Sequence, residues 1–322
     1  MKRARWMMVV VAVLTALAMM APTVAGEKYK GFERGKSLIT AQQLKALKDA
    51  KDPKLVVIGV VRKDAFLAGH IPDSYGVWRS AYTAAKAVTF PYGGMAMNRE
   101  DFQKFARSLG IDNDSKVVIY DEKYDATRLW WEFYLYGKKD TMVLDGGYPA
   151  WKAAGYEVDR LGGLTIGKKE GNFVATRALP GWTASMGDVW RAKTDSGFQL
   201  WDTREPDEWN GTKQKKGAYT KGRIPWAKFL SWKDFRKKID GKPTAFKTAA
   251  EIQKVLDKNG MSPKKDQIFY CQSGVRTTTH LFSLYLMGWD LSRLHNYDGS
   301  WIEWSYYAKG AGSDLNPVVV AK

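Results

Sequence analysis

Cysteine and histidine are the scarcest reactive residues in this chain. One cysteine, Cys271, occurs in 322 residues, so no disulfide can form within the chain and the fold must be held by its cores alone. Three histidines are present; His280 falls in a helical stretch and His295 in a turn, and neither has the spacing of a metal ligand, so no metal is expected. The apolar run Met7–Met20 covers 14 residues, short of the roughly 20 that a membrane span needs. Acidic residues number 34 against 51 basic ones, a net charge of +17. Such an excess suits nucleic acid or an acidic membrane. The lysines, however, are scattered or gathered in loop-like stretches such as Thr212–Lys221, with no nucleic-acid-binding motif beside them. Attraction of small anionic substrates, or plain solubility, is the expectation, and nucleic acid is not an expected partner. What is plentiful is core material: 45% hydrophobic and 13% aromatic residues exclude a disordered chain.

Lys2, Arg3 and Arg5 precede the apolar run, and Ala21-Pro-Thr-Val-Ala25 places small residues, Thr23 and Ala25, at the −3 and −1 positions of a cleavage site. Residues 1–25 therefore read as a secretory signal peptide, with a periplasmic or secreted mature chain; a retained membrane anchor is the alternative. No cysteine is available for lipid attachment. A lone thiol in an oxidising compartment is a liability unless it is buried or used.

The chain contains a repeat at domain scale. Leu55-Val-Val-Ile-Gly-Val-Val-Arg62 and Phe198-Gln-Leu-Trp-Asp-Thr-Arg204 each read as a buried strand, followed by Gly69-His-Ile-Pro72 and Gly222-Arg-Ile-Pro225. A helical segment comes next in each half, then Lys116-Val-Val-Ile-Tyr-Asp121 against Gln267-Ile-Phe-Tyr-Cys271. Finally Leu144-Asp-Gly-Gly-Tyr-Pro-Ala-Trp151 answers Tyr297-Asp-Gly-Ser-Trp-Ile-Glu-Trp304. Strands alternating with helical patterns predict an α/β fold with a parallel sheet in each half, flanked by helices. The expected halves are 36–156 and 185–312, joined by a linker over 157–184 where glycines break the periodicity. A helical insertion is expected near 228–260, with Lys247–Leu256 its best stretch.

Cys271 ends a predicted parallel strand and opens the loop Cys271-Gln-Ser-Gly-Val-Arg276, which runs into a helical pattern from Thr277. That is where α/β sheets place ligands. Gly274 allows the backbone to curl so that successive N–H groups face one point, and with the helix dipole they form an anion cradle. An ordinary thiol with a pKa near 8.5 is only about 3% ionised at pH 7, and a helix N-terminus plus a cation lowers that pKa by roughly one to several units. Arg276 is the expected cation, able to grip an anion bidentately. The competing reading of Cys271 is a small buried hydrophobe.

These residues resemble the rhodanese family, specifically its tandem-domain members, the thiosulfate and 3-mercaptopyruvate sulfurtransferases. The resemblance covers about residues 36–310 and rests on Asp202-Thr-Arg-Glu-Pro206, Gly222-Arg-Ile-Pro225, the Cys271–Arg276 loop and Asp298-Gly-Ser-Trp-Ile-Glu-Trp304. It implies two rhodanese-like domains, the second catalytic and the first without its cysteine, with Asp121 at the vacated place. It further implies a ping-pong reaction in which Cys271 takes a sulfane sulfur from a small anionic donor and passes it to an external thiol or cyanide, with no cofactor. Gln272, Ser273, Gly274, Val275 and Arg276 are then the substrate- and loop-binding positions, and Arg204 resembles the family's substrate-anion contact. Asp202 is an accessory that fixes the loop, a structural salt bridge with Arg204 being the other reading. His70 matches the first-domain histidine of the mercaptopyruvate enzymes, as Ser273 and Gly274 match their loop; Gln272 and Arg276 do not, so the loop leaves the two donors open. Arg223 and Trp226 replace the usual His and Gly of their motif. Two other classes remain open. Phosphatases and arsenate reductases share a Cys-to-Arg cradle but place five residues between the two, where four intervene here. A sulfur carrier that docks a protein acceptor would use the same cysteine without turnover on small molecules.

Overall fold

The computed structural model describes residues 28–85, 90–162, 169–312 and 315–320. The expected leader, 1–25, lies outside the described residues. Strands β1 (Leu38–Ile39), β2 (Leu55–Val60), β3 (Ser74–Val77), β4 (Lys116–Tyr120) and β5 (Thr141–Leu144) form one sheet in the order β1-β5-β4-β2-β3. The second half contains β6 (Thr183–Ala184), β7 (Phe198–Asp202), β8 (Lys228–Phe229), a hairpin of β9 (Arg236–Ile239) and β10 (Lys242–Phe246), then β11 (Asp266–Tyr270) and β12 (Leu294–Tyr297). Its sheet runs β6-β12-β11-β7-β8, the same order position for position. Every pairing within both sheets is parallel. The sequence repeat is thus a repeat of fold.

Central strands β2 and β4 are nearly continuous apolar runs, and β11 is apolar over Ile268–Tyr270, because helices cover both faces. Gly59 on β2 is needed for contact: a Cβ there would lie 2.6 Å from the Tyr120 ring of β4. That ring's hydroxyl accepts the Ile71 N–H (3.3 Å) and donates to Ser74 Oγ (2.9 Å), whose own proton goes to the Ile71 carbonyl (2.6 Å). The Tyr270 hydroxyl accepts Ile224 N–H in the same way as Tyr120 accepts Ile71 (3.3 Å). Each Ile-Pro motif is therefore tied to the strand that carries the loop residue, Asp121 or Cys271. Reciprocal capping boxes at Thr40/Gln43, Ser185/Asp188 and Thr248/Glu251 start three of the helices.

Helices Ala126–Leu135 and Thr277–Leu286 follow the two loops and are buried along their whole length. They pack on each other between the halves. Trp130 meets Phe282 with ring centroids 4.6 Å apart, Tyr134 meets Tyr285 at 5.2 Å, and the Thr127 and Thr278 hydroxyls hydrogen-bond at 2.9 Å. One apolar core therefore runs through both halves. Each half also lends a segment to the other: Phe246 N–H on β10 reaches Asp145 Oδ1 (2.8 Å), and Ala96 N–H of the first half reaches Asp298 Oδ2 (2.7 Å).

Four expectations need correction. Residues 228–260 are not a helical insertion: β8, a 3-10 turn (Trp232–Phe235) and the β9–β10 hairpin precede the helix Ala249–Asn259. Asp240-Gly241 drives this, both residues taking positive φ (49° and 75°) as a type I′ hairpin turn requires. The linker 157–184 is not free chain. Its stretch 171–182 runs along the first half as a strap, with Gly171, Phe173, Thr176 and Leu179 N–H groups satisfied by Arg107, Ile111, Tyr136 and Leu135 carbonyls, and leads into β6, which belongs to the second sheet. The second half also extends past 312, since Arg223 and Val319 pair through their backbones. His295 lies on β12 rather than in a turn.

Candidate active site

The strand β11 delivers Cys271 to the carboxyl edge of the second sheet, 1% exposed. Gly274 takes φ +65°, where a Cβ would meet Asp298 Oδ1 at 2.4 Å, so the turn needs glycine on both counts. The loop folds back around the sulfur. Burial pushes the thiol pKa up, but the Arg276 guanidinium and the backbone N–H groups of Thr277, Ser273 and Arg276 outweigh it, and the net displacement is downward. Three loop amides and one guanidinium therefore act on the same sulfur. Two further loop amides, Cys271 N–H (3.1 Å) and Gly274 N–H (2.9 Å), turn the other way and donate to Ser300 Oγ.

Arg276 is buried and held bidentately by Glu208 of the short helix Pro206–Trp209, at 2.6 and 2.9 Å. Burial alone would raise the Glu208 pKa; the hydrogen-bonded Arg276 pulls it down to about 2. Arg276 therefore enters the site already paired, so the loop needs a second cation if it is to attract a dianion. Lys215 supplies one. Its Nζ lies 3.4 Å from Glu208 Oε2, with the side chain 33% exposed, and its charge interacts with both Arg276 and Cys271. Burial and the Arg276 charge lower the Lys215 pKa. Beside it, Gln272 Nε2 donates to the Lys216 carbonyl at 3.4 Å, so the 212–221 stretch borders the cysteine loop.

The first half forms the remaining wall. Arg128, fully buried, donates to the Gly274 carbonyl (3.1 Å), pairs with Asp298, and is held by Glu132 at 2.9 Å. Burial, which outweighs the Arg128 charge, raises the Glu132 pKa to about 8. Gly94 approaches Ser273 so closely that a Cβ on it would stand 3.0 Å from the serine Cβ.

The other candidates separate. Arg204 belongs to Asp202, with Nε at 2.9 Å and Nη2 at 2.6 Å, and to the Gly222 carbonyl at 2.7 Å; its plane covers Trp301. The salt-bridge reading accounts for all of these contacts, and they hold the turn rather than reach into the cradle. His70 is not brought to Cys271 by any of its contacts. It stacks on Phe66 at 3.9 Å, its Nδ1 meets the Phe66 carbonyl at 2.8 Å, and its backbone pairs with Asp159. Arg223 covers Trp209, while Trp226 packs against Trp190 and Trp304 and so fills the core. His280 is buried among Phe235 and Phe269, where burial lowers its pKa to about 3. Asp121 occupies the place equivalent to Cys271 and fills its own cradle: its carboxylate accepts Lys123 N–H (3.1 Å) and Ala126 N–H (2.6 Å). Burial raises its pKa to about 6. Glu208, Lys215, Arg128 and Ser300 were not singled out by the sequence. Two of them had a signal there: Ser300 stands opposite Gly147 in the aligned repeats, and Lys215 lies in the lysine-rich stretch Thr212–Lys221.

The arrangement is a buried, ionisable sulfur nucleophile in a ring of N–H donors, with a part-exposed lysine beside it. The rhodanese-like domain model matches residues 40–154 and again 185–306. The thiosulfate sulfurtransferase of Corynebacterium glutamicum is 30% identical over 297 residues, spanning 88% of this chain and 91% of that protein. The sulfur carrier protein TtuD of Thermus thermophilus is 29% identical over 267 residues, spanning 79% and 89%. Among solved structures, an anaerobic ergothioneine biosynthesis enzyme from Chlorobium limicola superposes with a TM-score of 0.74 over 90% of this chain and 72% of that one, at 24% identity; at that identity the likeness is one of fold.

Proposed function

The chain belongs to the rhodanese family as a tandem pair of domains, and from that premise we propose that it is a thiosulfate-using sulfurtransferase of the periplasm or cell exterior, working through a Cys271 persulfide. The observation that carries this reading is the convergence of the Ser273, Arg276 and Thr277 N–H groups and the Arg276 charge on one buried sulfur. Those groups favour the thiolate, and they favour the persulfide anion that replaces it for the same reason. The thiolate attacks the outer sulfur of thiosulfate, forming a new S–S bond. The old S–S bond breaks with its electron pair leaving on sulfite, so charge is conserved across the step. Cyanide or an external thiolate then attacks the terminal sulfur and releases Cys271 as thiolate. The acceptor comes from outside because the chain has no second cysteine.

Thiosulfate is favoured over 3-mercaptopyruvate on two grounds. A carbonyl donor needs a proton relay, and His70 is held within the first half by Phe66 and Asp159. The second cation, Lys215, suits a dianionic donor and its sulfite leaving group. Thiocyanate production from thiosulfate and cyanide is expected, faster than from mercaptopyruvate, and absent in Cys271→Ser. Undiminished turnover in that variant refutes the mechanism; faster turnover of mercaptopyruvate refutes the donor assignment.

The likeness to a sulfur carrier protein favours one second reading, delivery of the persulfide to a protein acceptor. Its mark is a stable gain of one sulfur mass on Cys271, with slow release to small acceptors and fast release to a partner.

A further inference from the structure

Ser300 holds a backbone conformation that a serine rarely takes. Its φ is +49°, and it is fully buried at the turn between β12 and the helix Ser300–Ser305. Left-handed backbone is unfavourable for a residue with a Cβ and persists where surrounding contacts over-determine it. The corresponding position of the first half is Gly147, with φ +57°, where a Cβ would stand 2.3 Å from the Asp121 carbonyl oxygen. The two turns otherwise correspond. Tyr148 N–H donates to the Asp121 carbonyl (2.8 Å) as Trp301 N–H donates to the Cys271 carbonyl (3.0 Å). Glycine would satisfy the backbone in both halves, so the serine side chain needs its own explanation.

Its contacts provide one. Ser300 Oγ donates to the Tyr297 carbonyl (2.7 Å), which orients its lone pairs, and accepts Cys271 N–H and Gly274 N–H at 3.1 and 2.9 Å. The loop amides are thereby sorted into two groups. Cys271 and Gly274 point down at the hydroxyl, while Ser273, Arg276 and Thr277 point at the sulfur. In the first half the carboxylate of Asp121 fills the ring itself, accepting from Lys123 and Ala126. A ring closed on its own side chain needs no outside support. A ring that must accept first a thiolate and then a larger persulfide does.

We propose that Ser300 is a positioning residue of the sulfur-transfer site, whose hydroxyl fixes the direction of the cysteine-loop N–H groups so that the ring around Cys271 is preformed. The proposal deepens the sulfurtransferase reading and rests on it for its biological meaning, but its decisive measurement does not require turnover.

Two variants separate the hydroxyl from the backbone. Ser300→Gly removes the hydroxyl and suits the left-handed conformation; Ser300→Ala removes the hydroxyl and retains the Cβ. Iodoacetamide alkylation of Cys271 is followed against pH, alongside thiosulfate–cyanide turnover, with circular dichroism as a check on folding. Without the hydroxyl the amides lose their alignment while burial of the sulfur remains. The alkylation midpoint is expected to rise by about one pH unit, lowering the thiolate fraction near neutrality about tenfold, and kcat/KM is expected to fall about ten- to a hundredfold. Should the alanine variant fail to fold, the glycine variant decides. A folded Ser300→Gly protein with the wild-type alkylation profile overturns the proposal, whether turnover is kept or lost. A wild-type protein inactive on every sulfur donor overturns the sulfurtransferase reading instead and leaves the alkylation comparison intact.

Discussion

Glu208→Gln changes one charge at nearly constant volume and moves stability and reactivity in opposite directions. Glu208 has its pKa drawn from 4.5 to about 2 by the paired Arg276. A displacement of that size is about 3 kcal/mol of preferential stabilisation of the folded state, in line with the roughly 3–5 kcal/mol lost when one partner of a buried pair is removed. Because the folded-state pKa is depressed, this stability is fully present above the unfolded-state value near 4.5. It is lost progressively as the pH falls from there towards 2. Denaturant unfolding of the two proteins between pH 7 and pH 3 is therefore expected to show a gap of about 3 kcal/mol at neutrality, or about 5 °C in melting temperature for a chain of this length. The gap narrows below pH 4.5, where the wild-type carboxylate begins to take up its proton and comes to resemble the amide. Reactivity runs the other way. With its counter-charge gone, Arg276 acts on Cys271 uncompensated, the thiolate is favoured, and the alkylation midpoint moves to lower pH. A gap below about 1 kcal/mol at pH 7, a gap that does not narrow on acidification, or an alkylation midpoint displaced upward refutes the account of Glu208 as the residue that holds Arg276 at the cost of part of its field.

Two further outcomes are expected. Lys215→Ala removes the part-exposed cation at the cysteine loop and should raise KM for thiosulfate about tenfold with a smaller change in kcat, while weakening the dependence of rate on ionic strength; a fall confined to kcat contradicts a role in attracting the donor. Expression with an intact N-terminus in a Gram-negative host should yield an exported protein beginning at Gly26, which N-terminal sequencing of the periplasmic fraction checks; retention of residues 1–25 in the membrane fraction contradicts cleavage.

Those parts of the fold and site that are local in sequence were legible there. The apolar runs of β2 and β4, the repeat and the Cys271–Arg276 turn depend on neighbouring residues, so their chemistry is written in order along the chain. What was hidden depends on packing over distance. Glu208 is 68 residues from Arg276 within the second half, and Arg128 meets Gly274 across 146 residues and between the halves; no spacing rule links either pair before the chain folds. The β9–β10 hairpin had a local signal in Asp240-Gly241, but the helical spacing beginning at Lys247 was extended too far upstream. His70 illustrates the reverse error. Its place in a motif suggested a catalytic relay, whereas the stacking on Phe66 gives the imidazole a structural place.

The exchanged segments have a consequence for what this chain can lose. Phe246 on β10 is bonded over the Asp121 side, and Ala96 and Arg128 are bonded over the Cys271 side, so each half roofs the reactive edge of its twin. The half without a thiol is thus not a relic awaiting deletion. It supplies Ala96 and Arg128 to the wall of the cysteine loop, so the cysteine-bearing copy alone would lack the bonds that these residues make to Gly274 and Asp298.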